Sequence, residues 1–366
     1  MSASPLWTVA EVPILVIGEE DGDEPFLFAR IRGTVPMPND GVAVADGLSR
    51  EIRYFDGGGR HLHTAGGEGS GPGEFTRLRN AFGYLGDSIA ATNAMGGAVS
   101  VFSAGGEWGR SATCQPASDS LSGLFVEGAL KGGAFLVRAM KQFQTEGPTI
   151  GYHREPSVYQ ICSPEGAAGP ALAELPDLEF ETLNQEGRWM SFPLEMGRKA
   201  IFVIVGNEVL VGVTDRLELW RYGADGELNG ILRVEVSPTP MNDDMRTQWI
   251  EHTLEAVDDP ETARQTRQRY RDRIWPDSLP VFSDLKADSE GNLWVRKFAP
   301  DYLEGPSDWW VFSPDGSFLA RATLPESLQV RAIGSHFVIG VMADELGVER
   351  VYRHQLEKGR NPRTER

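Results

Sequence analysis

One unit recurs along this chain and limits its fold more than any other feature: a short alternating strand, a turn carrying glycine, and a second strand. Residues 52–55 (Ile-Arg-Tyr-Phe) precede Asp56-Gly57-Gly58-Gly59, and residues 99–102 (Val-Ser-Val-Phe) precede Ser103-Ala104-Gly105-Gly106. Residues 158–161 lead into Ser163-Pro164-Glu165-Gly166, residues 217–220 into Ala224-Asp225-Gly226, and residues 309–312 into Ser313-Pro314-Asp315-Gly316. A looser copy, residues 351–356 before Lys358-Gly359, ends the series. Period-two alternation running into such turns is a hairpin signature, because glycine enters left-handed backbone at little cost. Most copies stand roughly 40 to 60 residues apart, which is the spacing of propeller blades.

Between the first two copies lies Gly66-Gly67-Glu68-Gly69-Ser70-Gly71-Pro72-Gly73-Glu74-Phe75, five glycines in ten residues. A phosphate cradle needs such glycines between a strand and a helix. The residues that follow, 76–83, carry no helical stripe, and no Gly-Lys-Ser/Thr closes a nucleotide loop. The stretch is therefore expected to leave an outer strand of one β-unit and enter the inner strand of the next.

The fifth unit shows a whole blade: residues 282–287 inner, 293–298 second, 309–312 third and 318–324 outer. The sixth starts near Val330 and runs out of chain before its fourth strand, while residues 6–16 form a strand with no partner of their own. Pairing the two removes exposed edges. The prediction is an all-β, six-bladed β-propeller of four-stranded blades, a single domain over residues 1–366, closed by the N-terminal strand. Residues 241–275 break the pattern and read as two helices inserted between blades four and five, capped by Asn242 and by Asp259 with Pro260. Residues 357–366 form a basic tail.

Gly-Pro-Gly-Glu-Phe at 71–75, Asp-x-x-Gly-Asn-Leu-Trp-Val at 288–295 and Phe-Ser-Pro-Asp-Gly at 312–316 resemble the NHL-related six-bladed β-propeller proteins of bacteria. The resemblance covers nearly the whole chain and implies the fold; the family serves as enzymes, sensors and docking modules alike. The chain is also similar to propellers that act as membrane-extrinsic subunits. That likeness implies a place in a bacterial photosynthetic reaction centre with its light-harvesting ring.

A net charge of -18 argues against nucleic acid as a partner. No apolar run reaches membrane-span length, and the N-terminus lacks a secretory leader's basic, apolar and cleavage regions. The expected location is cytoplasmic, or peripheral to the inner membrane. Cys114 and Cys162 are expected to be small core residues, with a single bridge between them left open. No cofactor or metal motif occurs; His61 and His63 share one side of an outer strand and, lacking a third ligand, read as solvated edge residues.

Two constellations remain. Arg264, Arg267, Arg269, Tyr270, Arg271, Arg273 and Trp275, with Arg360, Arg363 and Arg366 of the tail, suit docking on an anionic protein or lipid surface, or form an ordinary solvated helix. Asp40, Asn80, Asp284 and His336 stand near expected inner-strand ends and are candidates for metal ligands or an acid/base pair at the tunnel mouth; Arg138 and Arg296 are placed to face that space or to bond between blades. The leading expectation is a non-catalytic docking subunit that binds other polypeptides of a larger assembly. The alternative is a tunnel-mouth, metal-assisted hydrolase or lyase with the helical insert as its lid.

Overall fold

The middle strands of the sheets are buried on both faces, so each sheet must be covered on two sides, and the chain does this by stacking sheets around an axis. A computed structural model describes residues 5–141 and 149–359. Two short strands, β1 (Leu6–Val9) and β2 (Leu15–Ile17), precede the first complete sheet, formed by β3 (Ile31–Pro36), β4 (Val42–Asp46), β5 (Glu51–Phe55) and β6 (His61–Gly66). The second contains β7 (Leu78–Tyr84), β8 (Ser88–Asn93), β9 (Ala98–Phe102) and β10 (Trp108–Thr113). The third has five strands: β11 (Leu121–Ala129), β12 (Phe135–Lys141), β13 (Gly151–Cys162), β14 (Ala168–Gln185) and β15 (Arg188–Pro193). The fourth contains β16 (Ala200–Val205), β17 (Glu208–Val213), β18 (Glu218–Gly223) and β19 (Leu228–Arg233).

Helices α1 (Asp243–Leu254) and α2 (Pro260–Arg271) follow, capped by the Asn242 and Asp259 side chains. The chain then returns to strands with β20 (Phe282–Ala287), β21 (Leu293–Lys297), β22 (Ser307–Phe312) and β23 (Phe318–Leu324). Last come β24 (Gln329–Ile333), β25 (Phe337–Ala343) and β26 (Glu349–Lys358).

The first strands of the sheets meet one another around a circle: β3 lies against β7, β7 against β11, β16 against β20, β20 against β24, and β24 against β3. Each gap between neighbouring sheets holds its own apolar cluster. Tyr54, Ile52 and Phe75 pack with Ile89 and Phe102 between the first two sheets, and Val42, Val44 and Phe55 pack with Ile339, Val341 and Val351 where the last meets the first. This is a β-propeller fold, with stability drawn from apolar burial between sheets.

The expected single strand over residues 6–16 is in fact two. β1 lies between β23, which it joins in parallel with Trp7 opposite Ala322, and β26, which it joins antiparallel with Thr8 opposite Glu357. β2 pairs further along β26, Val16 facing Tyr352. Pro13 lacks an N–H and cannot donate to a ladder, so the chain bulges between the bonds Ala10 N–H to Gln355 O (2.9 Å) and Ile14 N–H to Arg353 O (2.8 Å). The buried Trp7 ring, 5.6 Å from that of Trp294, anchors the junction.

The glycine-rich stretch connects β6 to β7 as expected. Gly66, Gly67 and Gly73 have φ of +85°, +136° and +78°, and the loop ends by sinking Phe75 into the core. Cys114, just after β10, is disulfide-bonded to Cys162 at the end of β13, so a bridge ties the second sheet to the third. The third sheet holds the main surprise: β13 and β14 run on past the ring, and with β15 they make an arm.

Candidate active site

The first strands surround a cavity of about 1120 Å³. Neighbouring first strands run in the same sense. Asn80 Nδ2 reaches Glu127 O (3.4 Å), Arg331 Nη2 reaches Ile31 O (3.4 Å), and Asp288 bridges in parallel to Ile333. Charged and polar residues therefore gather toward one end of the cavity. Arg32, Asn80, Glu127, Lys199, Asp284 and Arg331 come from successive first strands or the residue just before them, and Arg138 and Arg296 come from the adjoining second strands. Val35, Phe82, Ala129, Ile204 and Ala287 line the other end.

On the β11–β14 side the charges are matched. Glu127 accepts from Arg79 and Arg138, each at 3.0 Å. Asp177 accepts from Ser157 Oγ (2.5 Å) and the Ala200 N–H (3.2 Å) and lies 3.5 Å from Arg138. Tyr159, buried beside them, lines the cavity; burial first, and the Asp177 carboxylate next, push its phenol above the usual range, so it remains a hydroxyl donor. Asp284 accepts from Lys286 Nζ (2.9 Å) and from the Leu285 N–H (2.8 Å), and Arg296 stands opposite it on β21.

Four expected residues, Asn80, Asp284, Arg138 and Arg296, thus meet in the cavity. Asp40 and His336 do not, and their assignment is corrected. Asp40 lies in the turn after β3, where Arg353 holds its carboxylate and its carbonyl (2.8 Å to the latter). His336 sits exposed in the turn after β24. Nearness to an inner-strand end was the expectation for Asp40, Asn80, Asp284 and His336, but a six-residue strand separates its ends by roughly 20 Å, and Asp40 and His336 occupy the far ends. Arg32, Glu127, Asp177, Tyr159, Lys199, Lys286 and Arg331 were not anticipated. The signal for one of them was present: Asp177-Leu178-Glu179-Phe180-Glu181 alternates at period two, as a strand with one charged face does.

That strand is β14, and its acids run from the cavity out along the arm. Glu179, its side chain fully buried, accepts from Arg198 (2.5 Å) and the Tyr152 hydroxyl (2.8 Å). Glu181 pairs with Arg273, whose guanidinium also lies over the Phe192 ring of β15 (4.6 Å). Arg198 continues to Asp277 at 2.8 Å. Asp277 sits in the two-stranded stem, Pro240 paired with Ser278, from which α1 and α2 rise just before β20. The helices and the arm are therefore clamped together, on the end of the cavity where the charged residues gather.

The basic surface expected of this segment is largely occupied within the chain. Arg264 pairs with Glu261 (2.8 Å) and Arg267 with Glu251 (2.7 Å), while Arg269 lies over the Tyr270 ring (5.1 Å). Tyr270 and Trp275 pack edge-on against Trp249. Arg271 lines a small groove with Asp243, Arg246 and Glu251. Arg360, Arg363 and Arg366 lie outside the described residues.

The residues expected as metal ligands do not fit that task. Among the described residues no group of three or more His, Cys, Asp or Glu could hold a metal ion, and the carboxylates in the cavity are each held by a cation. His63 stacks on Tyr54 (4.3 Å between centroids) and His61 bonds Thr64 (2.9 Å). No helix among the described residues is long and apolar enough to cross a membrane.

No protein-family model and no curated protein sequence matches the chain. Its fold is similar to that of a member of the DUF4221 family from Bacteroides vulgatus, with 10% identity, a TM-score of 0.50, and 98% and 100% of the two chains covered. Other similar structures are a gluconolactonase from Xanthomonas campestris (10% identity, TM-score 0.41, 91% and 87% covered) and a catalytically inactive virginiamycin B lyase from Staphylococcus aureus with quinupristin (8%, TM-score 0.42, 94% and 98% covered). At these identities the likeness supports the propeller fold and leaves NHL membership and a reaction-centre link without a match. The expected role as a non-catalytic docking subunit is corrected on the structure's own contacts: of the arginines offered for docking, Arg264, Arg267 and Arg273 are paired with the chain's own acids and Arg269 lies over the Tyr270 ring.

Proposed function

We propose that the protein is an enzyme of the hydrolase or lyase type whose chemistry takes place in the central cavity. The observation that carries this reading is Asp284 in the cavity wall, with Lys286 bonded to it at 2.9 Å and Arg296 directly across the ladder. A carboxylate there can take a proton from water or from a carbon beside a carbonyl, and the flanking cations stabilise negative charge that develops on oxygen. Asn80 and the Tyr159 hydroxyl supply uncharged donors from the opposite side. The arm and helices, clamped at the charged end, serve as a cap that limits water. In the same reading the sheets are a six-bladed ring of the NHL-related kind, with residues 241–275 inserted between blades four and five.

The test is turnover on a panel of lactones, esters and uronic-acid glycosides with wild type and Asp284→Asn. At least one substrate should turn over, and the variant should lose about 10²- to 10⁴-fold in rate with its melting temperature held. Equal rates in the two proteins sink the assignment.

We further propose an oxidising compartment, since a buried bridge such as Cys114–Cys162 is uncommon in a reducing cytosol. Thiol titration of protein taken unreduced from its own cells should find no free cysteine; two free thiols would return the protein to the cytoplasm.

A further inference from the structure

We propose that Arg32 and Arg331 recognise an anionic oxygen group, a carboxylate or a phosphate, on the molecule that enters the cavity; calling that molecule a substrate rests on the enzymatic reading above. Both side chains line the cavity from adjoining strands, β3 and β24. Neither makes an ion pair among the described residues, in a chain whose net charge is -18. Arg331 Nη2 makes only a 3.4 Å contact to Ile31 O and a 3.2 Å bond to Gln329, and its Nε is sealed from solvent without a partner.

The carboxylates facing Arg331 are committed elsewhere: Glu349 holds the Ile31 N–H, and Asp284 holds Lys286 and the Leu285 N–H. Burial above all keeps Arg331 below the usual arginine range; Glu349 and Asp284 pull the other way, and the Arg32 charge adds to the depression. Two guanidinium groups that repel each other, one of them desolvated, are unfavourable until an anion lies between them, and their planar donors suit carboxylate and phosphate oxygens.

Arg32 is also seated by its neighbours. A side-chain carbon on Gly47 would come within 2.7 Å of the Arg32 Cγ and 3.0 Å of its Nε, so the absence of one lets the arginine stem lie where it does. Gly47 is thus a positioning residue for the proposed site.

Calorimetry on the full chain at constant ionic strength provides the test, with inorganic phosphate and D-gluconate as probes and glucose as the neutral control. At least one anion should bind at a single site and glucose should not; which anion binds separates phosphate from carboxylate recognition. Arg32→Gln and Arg331→Met should each weaken binding at least tenfold, and Gly47→Ala severalfold without any change of charge. Arg331→Met should also hold or raise the melting temperature, which a structural arginine would not allow. Asp284→Asn should keep anion binding, so a failure of the proposed chemistry shows as lost turnover alone. No saturable anion binding, or binding indifferent to Arg32→Gln and Arg331→Met, overturns the proposal.

Discussion

Along β14 every second residue from 177 to 181 is an acid, and each acid meets an arginine; across the cavity, β3 and β24 present arginines that form no ion pair among the described residues. Glu179 and Glu181 are buried, Arg331 is partly buried and Arg32 is exposed to the cavity, so the two sides differ in burial as well as in pairing. A buried pair that is fully hydrogen-bonded acts as a fastener, because removing one partner strands the other without water. An unpaired cation in a cavity fastens nothing. The β14 side holds the third sheet, the arm and the helices in place, and the β3–β24 side is left able to bind.

The largest effect that can break this comparison is expected at Glu179. Glu179→Gln leaves the half-buried Arg198 guanidinium with only the exposed Asp277 as a carboxylate partner and should cost about 3 kcal/mol in chemical denaturation. A loss below about 1 kcal/mol would show that the β14 pairs are incidental.

Acid sharpens the same point. Burial opposes the Glu179 charge most strongly, yet bonds from Arg198 and Tyr152 hold its carboxyl below the usual value of 4.5. A carboxyl depressed in the folded state contributes stability that is complete above its unfolded value and is lost as pH falls through the folded one. Wild type should therefore lose stability below about pH 4.5 more steeply than Glu179→Gln; parallel curves would remove Glu179 from the account.

On the other side, Arg331→Met should raise the melting temperature by about 1 to 3 °C, since a desolvated and unpaired charge is exchanged for a side chain of similar length. A clear drop would make Arg331 a fastener too, and the contrast between the walls would disappear. The smallest effect is expected at the surface. Arg264→Ala removes an exposed pair on α2 and should leave the melting temperature within about 2 °C of wild type.

Much of the ring was legible before any coordinates. β20 and β23 coincide with the strands expected at 282–287 and 318–324, because period-two alternation between glycine turns is a local signal that each strand carries by itself. The arm escaped notice for a related reason. Glu179 and Glu181 read as surface charges in isolation, and their partners Arg198 and Arg273 lie 19 and 92 residues away. Pairing of that kind leaves no trace in local spacing.

The cavity was legible only by halves. Asn80, Asp284, Arg138 and Arg296 could be placed near the axis from strand counting, whereas Asp40 and His336 were misplaced because proximity to a strand end does not say which end. Arg32 and Arg331, at opposite ends of the chain, gave no sign of belonging together.

The sequence by itself determined that this chain builds hairpin upon hairpin and covers its sheets with one another, because alternation and glycine turns act over a few residues at a time. Only the tertiary structure decided which charges face inward together and which of them are paired. Closing a ring brings residue 32 beside residue 331, and whether a charge then fastens or binds depends on what else shares its low-dielectric surroundings, a property of the closed circle rather than of any segment of it.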